Sequence, residues 1–121
     1  MRRLQTEGAE ALGKLLRVNR SIRTVDASFN EIHAKGMKTM AHYLRSNTVV
    51  TELNIASNRI GVEGAQHLAI ALKTNTSIKD LRMAHNKIYD EGANFIAESL
   101  HHNRTLENLD ISSDRIHAQV R

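Results

Sequence analysis

Seven histidines are the residues of this chain best suited to bind a metal ion or to transfer protons. His101 and His102 are adjacent, so they point to different faces of a helix, and Glu98 is the only carboxylate near them. His85 follows Asp80 but has no second histidine beside it. The sequence therefore predicts ordinary surface histidines and no metal site.

Other catalytic arrangements find no support in the pattern either. The chain has no Cys, which excludes a thiolate nucleophile and a disulfide framework. No Ser, His and Asp are spaced so as to converge on one site, and the glycines are spaced as helix starters rather than as a phosphate-binding loop. We therefore expect no enzyme activity, no catalytic residues and no cofactor.

The charge balance raises the question of nucleic-acid binding, because 17 Lys and Arg stand against 13 Asp and Glu. Arg17, Arg45 and Lys73, however, lie at equal intervals near expected helix ends, where the helix dipole favours a cation. Proteins that bind single strands usually add aromatic side chains that stack on bases, and this chain has only two Phe and two Tyr. The pattern argues against nucleic acid as a partner.

The N-terminal stretch MRRLQTEGAEALGKLL contains two arginines and two glutamates but no continuous apolar run. It does not have the pattern of a signal peptide, and no other stretch approaches the length and apolarity of a membrane span. We expect a cytoplasmic protein with no membrane partner, for which cytoskeletal association is one option.

One unit recurs through the chain at a fixed step of 28 residues, and Thr51 to Leu72 is one complete copy of it. The rows in register include a first asparagine row of Asn30, Asn58 and Asn86 with Asp114 next in line, a second asparagine row of Asn19, Asn47, Asn75 and Asn103, and a glycine row of Gly8, Gly36, Gly64 and Gly92. Self-similarity at this period predicts stacked units that each contact only their neighbours. We predict one array of about four units over residues 1–121.

The apolar period changes within each unit. Leu81 and Met83 alternate with polar residues, which is typical of a short strand with one buried face. Ala93, Ile96 and Leu100 then recur at helical spacing. The unit is therefore strand, turn, helix, turn, and because a helix lies between successive strands, the strands can be parallel. We expect four strands of about five residues and four helices.

The first asparagine row falls where the chain leaves each strand. An Asn side chain offers two donors and an acceptor, so it can satisfy backbone groups of its own turn and of the next one. Leaving such a buried group unpaired costs about 1–3 kcal/mol. We predict a structural ladder of Asn30, Asn58, Asn86 and Asp114, which loosens at Asp114 because a carboxylate lacks the amide donors.

Two further rows suggest backbone conformations. The glycines of the third row mark the helix starts and are expected to permit backbone angles denied to other residues. The second asparagine row follows the helices, where Asn can adopt the left-handed cap conformation.

At this point the residues resemble a known family. Leu53-x-Ile55-x-x-Asn58-x-Ile60 and its copy from Leu81 to Ile88 look like the leucine-rich repeat segment. The 28-residue step and the helical half GVEGAQHLAIALKTNTSI resemble the ribonuclease-inhibitor-like class. This resemblance implies an α/β solenoid, a right-handed horseshoe with parallel strands on its concave face and helices on its convex face, and protein binding as the usual activity. Val25-x-Ala27 is a weaker match to the strand motif.

The first unit lacks a strand and the last stops before its helix, so we expect a fragment of a longer array. Terminal repeats normally carry a polar cap, and none is recognisable here. The ends should therefore expose apolar surface, which gives self-association as a second expectation.

Residues between the inward strand positions should project from the concave face, which is polar and mildly acidic. The candidate protein-binding residues on this face are Glu52, Asn54, Asp80, Arg82, His85 and Asp110. Of these, His85 belongs to a row expected at the strand exits. We expect a scaffold that binds another protein through this face or its rim. Two alternatives remain open: a structural subunit within a larger, for example cytoskeletal, assembly, and a GTPase-activating regulator of the Ran type, which the family resemblance alone suggests.

Overall fold

The computed structural model describes residues 5–112, which form four helices alternating with four strands. The elements in chain order are α1 (Gln5–Val18), β1 (Thr24–Asp26), α2 (His33–Leu44), β2 (Glu52–Asn54), α3 (Gly61–Thr74), β3 (Asp80–Arg82), α4 (Tyr89–Ser99) and β4 (Asn108–Asp110). The expected unit of strand, turn, helix and turn is confirmed.

The strands form one parallel sheet in the order β1-β2-β3-β4. Leu53 lies opposite Val25 on one side and Leu81 on the other, so the register of the sheet equals the 28-residue sequence step. Each strand has three residues rather than the expected five. Backbone hydrogen bonds between neighbouring units nevertheless continue past the strand ends, for example from the Phe29 amide to the Ala56 carbonyl at 3.0 Å.

The hydrophobic core lies between the sheet and the helices. The middle residue of each of the first three strands is buried and its neighbours are more exposed, so one face of the sheet packs on the helices and the other is open. In α3, Ala65, Leu68 and Leu72 complete the core at helical spacing. Each helix packs on the next one along the chain. None of the helices in this part of the chain has the length and apolarity needed to cross a membrane.

Glycine occupies its repeat position for a different reason from the expected one. Gly36, Gly64 and Gly92 lie inside the first turns of their helices and have no positive φ. A Cβ atom built on Gly64 would lie 2.7 Å from the Cβ of Ile60, and the corresponding contact at Gly92 is also 2.7 Å. These glycines therefore provide space for the isoleucine one turn earlier, and the expectation of an unusual backbone angle at this row was wrong.

Positive φ angles occur elsewhere, at residues that follow the strands. Three rows are left-handed, at φ between 54° and 67°: Phe29, Ser57 and His85; Glu31, Arg59 and Lys87; His33, Gly61 and Tyr89. This conformation is unfavourable for residues with a Cβ. Hydrogen bonds to the next unit hold it in place, for example from the His33 amide to the Asn58 carbonyl at 2.9 Å. The turns after β1, β2 and β3 thus share one shape.

Gly64→Ala should lower the stability of the chain, although Ala is the better helix former by about 1 kcal/mol. The added methyl overpacks the contact with Ile60, and overpacking typically costs about 1–3 kcal/mol. Urea unfolding followed by circular dichroism measures the change. Gln66→Ala, at an exposed position of the same helix, is the control and should be close to neutral. A Gly64→Ala variant at least as stable as the wild type would contradict the steric reason.

Candidate functional site

The candidate site is the sheet face, by which we mean the open surface formed by the outward side chains of β1 to β4. Its backbone is held by Asn58 and Asn86, whose side chains are buried, at 0% and 1% exposure. The Asn58 amide donates to the carbonyls of Ala27 and Ile55, both at 2.9 Å, and its Oδ1 accepts from the Asn30 amide at 2.8 Å. One side chain therefore bonds to its own turn and to the previous unit.

Asn86 repeats this arrangement one unit later. Its Oδ1 accepts from the Asn58 amide at 2.7 Å, and its Nδ2 donates to the carbonyls of Ile55 and Met83 at 2.9 and 3.0 Å. Asn30 donates to the Ser28 carbonyl at 2.9 Å. Asp114, the fourth member of the proposed ladder, lies outside the described residues. How much the ladder contributes to stability stays a prediction, tested below.

The second asparagine row forms another set of hydrogen bonds, which sequence reasoning missed. Asn75 donates from Nδ2 to the Leu44 carbonyl at the end of α2, at 2.7 Å, and its Oδ1 accepts from the Ser77 and Ile78 amides. Asn75 has φ −69° and ψ 133°, so the expected left-handed cap was wrong here. No asparagine of this row has a positive φ. The asparagine instead turns its own loop and caps the previous unit's helix, which requires extended backbone.

Outward residues in register meet across the strands of the sheet face. Arg82 lies between Asn54 on β2 and Asp110 on β4, and Glu52 is paired with Asp80. The Nε of Arg82 is 3.6 Å from Oδ1 of Asp80, and the Arg82 side chain is 61% exposed. A shallow depression of about 130 Å³ lies beside these residues, between β1, β2 and β3.

His85 lies apart from the other candidates. It follows β3 with φ +57° and lines a separate groove of about 270 Å³ at the strand exits. The other residues lining this groove are Phe29, Glu31, Ser57, Arg59 and Lys87. The structure thus brings Glu52, Asn54, Asp80, Arg82 and Asp110 together on the sheet and places His85 at its edge.

Two carboxylates of the sheet face are bound into local turns. Asp26 accepts from the hydroxyl of Ser28 at 2.7 Å and from its amide at 3.1 Å, and these bonds hold the pKa of Asp26 below its ordinary value of 3.8. The amide of Ser112, 2.9 Å from Asp110, and then its hydroxyl lower the pKa of Asp110 in the same way. Arg82 adds a smaller lowering at both carboxylates. Both groups therefore stay ionised well into the acid range.

Within residues 5–112, no three His, Asp or Glu side chains are grouped so that they could hold a metal ion. The site offers a fixed arrangement of carboxylates, amides and one guanidinium on an open surface. Such a surface can recognise a complementary macromolecule by charge and hydrogen bonding.

A parallel α/β solenoid with stacked 28-residue units and asparagine ladders defines a class of repeat proteins. The family model described as Leucine Rich repeat matches residues 18–41, 46–69 and 74–97, more than half of the chain. The chain belongs to the leucine-rich repeat family. Assignment to the ribonuclease-inhibitor-like class stays a prediction.

Among solved structures, 52 chains match. One of them is described as Leiomodin-1 Actin-Binding Site 2 (ABS2), which matches with a TM-score of 0.80 at 25% sequence identity. The match covers 91% of this chain and 64% of that chain. A search of the curated proteins gave no match.

Asn86→Ala should lower the free energy of unfolding by about 2–3 kcal/mol, because it leaves buried backbone groups of two units without partners. Asn94→Ala, at an exposed position on α4, is the matched control and should change stability little. Thermal and urea unfolding followed by circular dichroism provide the comparison. Equal losses in the two variants would count against the structural role proposed for the ladder.

Ser28→Ala should raise the pKa of Asp26 toward 3.8, because the hydroxyl is the largest cause of its lowering. Ser112→Ala should raise the pKa of Asp110 less, since the amide of residue 112, the larger cause there, remains. Carboxyl-carbon NMR titration measures both. Because the pKa of each folded carboxyl is lowered, each group stabilises the fold above pH 3.8, and that contribution is lost as the pH falls through the folded pKa. A larger rise in the pKa of Asp110 than in the pKa of Asp26 would contradict the assigned causes.

Proposed function

We propose that this chain is a protein-binding segment of a leucine-rich repeat array, that it acts without enzymatic activity or cofactor, and that it binds its partner through the sheet face. The observation that carries the proposal is the charge arrangement of that face. Four carboxylates (Asp26, Glu52, Asp80 and Asp110) surround the single guanidinium of Arg82 on a backbone held by buried asparagines. A cytoplasmic location fits this function.

Arg82 is proposed as the anchor of the interface because it differs in hydrogen bonding from the other residues at its repeat position. The row consists of Asp26, Asn54, Arg82 and Asp110. In each of the other three members, a side-chain oxygen accepts a hydrogen bond from the backbone amide of the residue two positions later. Arg82 has no such oxygen, so its side chain is directed to neighbours and solvent instead. Arginine is enriched among the residues that dominate interface energies.

The size of the sheet face sets a limit on affinity. Four strands of three residues give an area of roughly 190 Å² at ordinary strand spacing and rise, smaller than the roughly 300 Å² that strands of five residues would give. A standard interface needs about 800 Å² from each partner. The sheet face alone should therefore bind weakly, and we propose that a tight complex also uses an edge of the array or further units.

Actin is the specific partner that we propose for a first test. The support is the similarity to a leiomodin fragment described as an actin-binding site, over nearly the whole length of this chain. This chain spans 64% of that fragment, so the residues that bind actin there need not have counterparts here. Actin binding would also agree with the alternative of a structural subunit in a cytoskeletal assembly. No observation on the described residues adds support to a GTPase-activating role.

The first test is binding of the purified chain to monomeric actin by fluorescence anisotropy and to filaments by co-sedimentation. Arg82→Glu should weaken binding by at least about tenfold, because it replaces a central cation by a carboxylate among carboxylates. Lys38→Glu makes the same change of charge at an exposed position of α2, on the helix side, and should leave binding unchanged. Circular dichroism of both variants checks that the fold is intact.

Loss of binding in Lys38→Glu with retention in Arg82→Glu would contradict the sheet face as the binding surface. If neither form of actin binds the wild type, actin is excluded as the partner. Comparison of proteins captured from a lysate by the wild type and by Arg82→Glu then tests the broader proposal. Equal capture of a partner by the wild type and by Arg82→Glu would contradict binding through the sheet face.

A further inference from the structure

Positive charge is concentrated along one edge of the array, in the segments that run from the helix ends to the strands. We call this surface the basic edge, and it consists of Arg17, Arg20, Arg23, Arg45, Lys73, Lys79 and Arg104. The four segments concerned, residues 17–23, 45–51, 73–79 and 101–107, contain a single carboxylate, Glu107. The sheet face next to it has the opposite sign.

Stacking of the units brings these cations into rows. Arg17, Arg45 and Lys73 share one position of the repeat, Arg20 and Arg104 share a second, and Arg23 and Lys79 share a third. All seven side chains are exposed. Within residues 5–112 none of them forms an ion pair with a carboxylate. Like charges held close together repel one another, so the edge needs a reason beyond stability.

Helix ends account for only part of the pattern. A cation in the last turn interacts favourably with the helix dipole, but the effect falls off within that turn. It can explain Arg17, Arg45 and Lys73, whereas the other four cations lie farther along the loops. The helix-end carbonyls of Leu16, Leu44 and Leu72 already accept hydrogen bonds from the second asparagine row, at 2.7–2.9 Å. One carbonyl at the end of each of α1, α2 and α3 is therefore capped without a basic side chain.

The basic edge also contains a surface groove with a volume of about 660 Å³. Its lining residues are Arg17, His42, Tyr43, Arg45, Ser46 and Thr74, contributed by the ends of α1, α2 and α3. Guanidinium groups bind carboxylates through two parallel hydrogen bonds, and the hydroxyl groups can donate to the same oxygens. The groove is therefore suited to carboxylate side chains.

We propose that the basic edge is a second docking surface, which binds an acidic segment, rich in Asp and Glu, of a partner protein. A protein segment is favoured over nucleic acid because the groove offers little aromatic surface for stacking. Tyr43, the one Phe, Tyr or Trp among its lining residues, is half-buried and packs edge-to-face on His42, with ring centroids 5.1 Å apart. This surface differs in place and in charge from the sheet face, and its binding does not depend on that of the sheet face.

The test uses a fluorescein-labelled oligo-glutamate peptide and the whole chain, with fluorescence anisotropy at low and physiological ionic strength. An oligothymidylate with the same number of negative charges and anionic phosphatidylserine vesicles serve as comparison ligands. The double variant Arg17→Glu with Arg45→Glu should weaken peptide binding by about tenfold, the loss expected for two exposed charge pairs. The peptide should bind more tightly than the oligothymidylate or the vesicles, and added salt should weaken its binding.

The matched control is Arg59→Glu with Lys87→Glu, which makes the same change of net charge at exposed positions of the strand-exit groove. It should reduce peptide binding by less than about twofold, because only the weak long-range effect of net charge acts on the peptide. If the double variant Arg17→Glu with Arg45→Glu does not fold, Arg20→Glu with Arg23→Glu tests the same basic edge at loop positions. Circular dichroism distinguishes loss of fold from loss of binding.

Three results would each overturn the proposal. The first is absence of peptide binding at low ionic strength. The second is equal weakening by the two double variants, which would mean that only net charge matters. The third is tighter binding of oligothymidylate or vesicles than of the peptide, which would assign the edge to nucleic acid or to lipid. Failure of Arg82→Glu to affect a partner on the sheet face would leave the outcome for the basic edge unchanged.

Discussion

Hydrogen bonding of buried asparagine side chains to the backbone of neighbouring units is the interaction on which this structure depends. Buried backbone amides and carbonyls need partners, and the turns that follow three-residue strands cannot supply all of them through sheet pairing. The Asn58 side chain by itself donates to three backbone carbonyls and accepts from the backbone amides of Asn30 and Ile32. No other side chain of this size has two amide donors and a carbonyl acceptor. The asparagine rows therefore follow the 28-residue period of the array because each side chain bonds to a neighbouring unit.

Two asparagine rows meet this requirement at opposite ends of each unit. The first row fixes the turn after the strand, and Asn47, Asn75 and Asn103 of the second row join the loops after α2, α3 and α4 to the end of the previous helix. Between them the left-handed residues after β1, β2 and β3 adopt one repeated shape, and backbone bonds to the next unit offset their local cost. The glycines complete the arrangement by letting the first helical turn pack tightly, with no room for a Cβ beside Ile60 or Ile88.

Because every unit has the same backbone, side chains at one repeat position form a straight row on the surface. Exposed rows outside the core and the asparagine ladders differ from one another in charge. Carboxylates surround Arg82 on the sheet face, whereas lysines and arginines line the loops beyond the helix ends. Two surfaces of opposite sign on one array suit a protein that contacts its partner at more than one place. The sheet face is smaller than a standard interface, so the tight complex that we propose needs a second contact.

The sequence alone determined the repeat, the order of strand and helix, the parallel register and the buried positions, because apolar period and a fixed 28-residue step are local properties of the chain. It also identified both asparagine rows and the outward residues of the strands. Tertiary structure decided why the rows matter. Gly64 is required by its distance from Ile60, and Asn75 extends to the carbonyl of Leu44 instead of taking a left-handed cap. These outcomes depend on contacts between units and on the path of the turn, and spacing within one unit does not encode either distance. The basic edge emerged for the same reason: cations from four loops become neighbours only when the units stack.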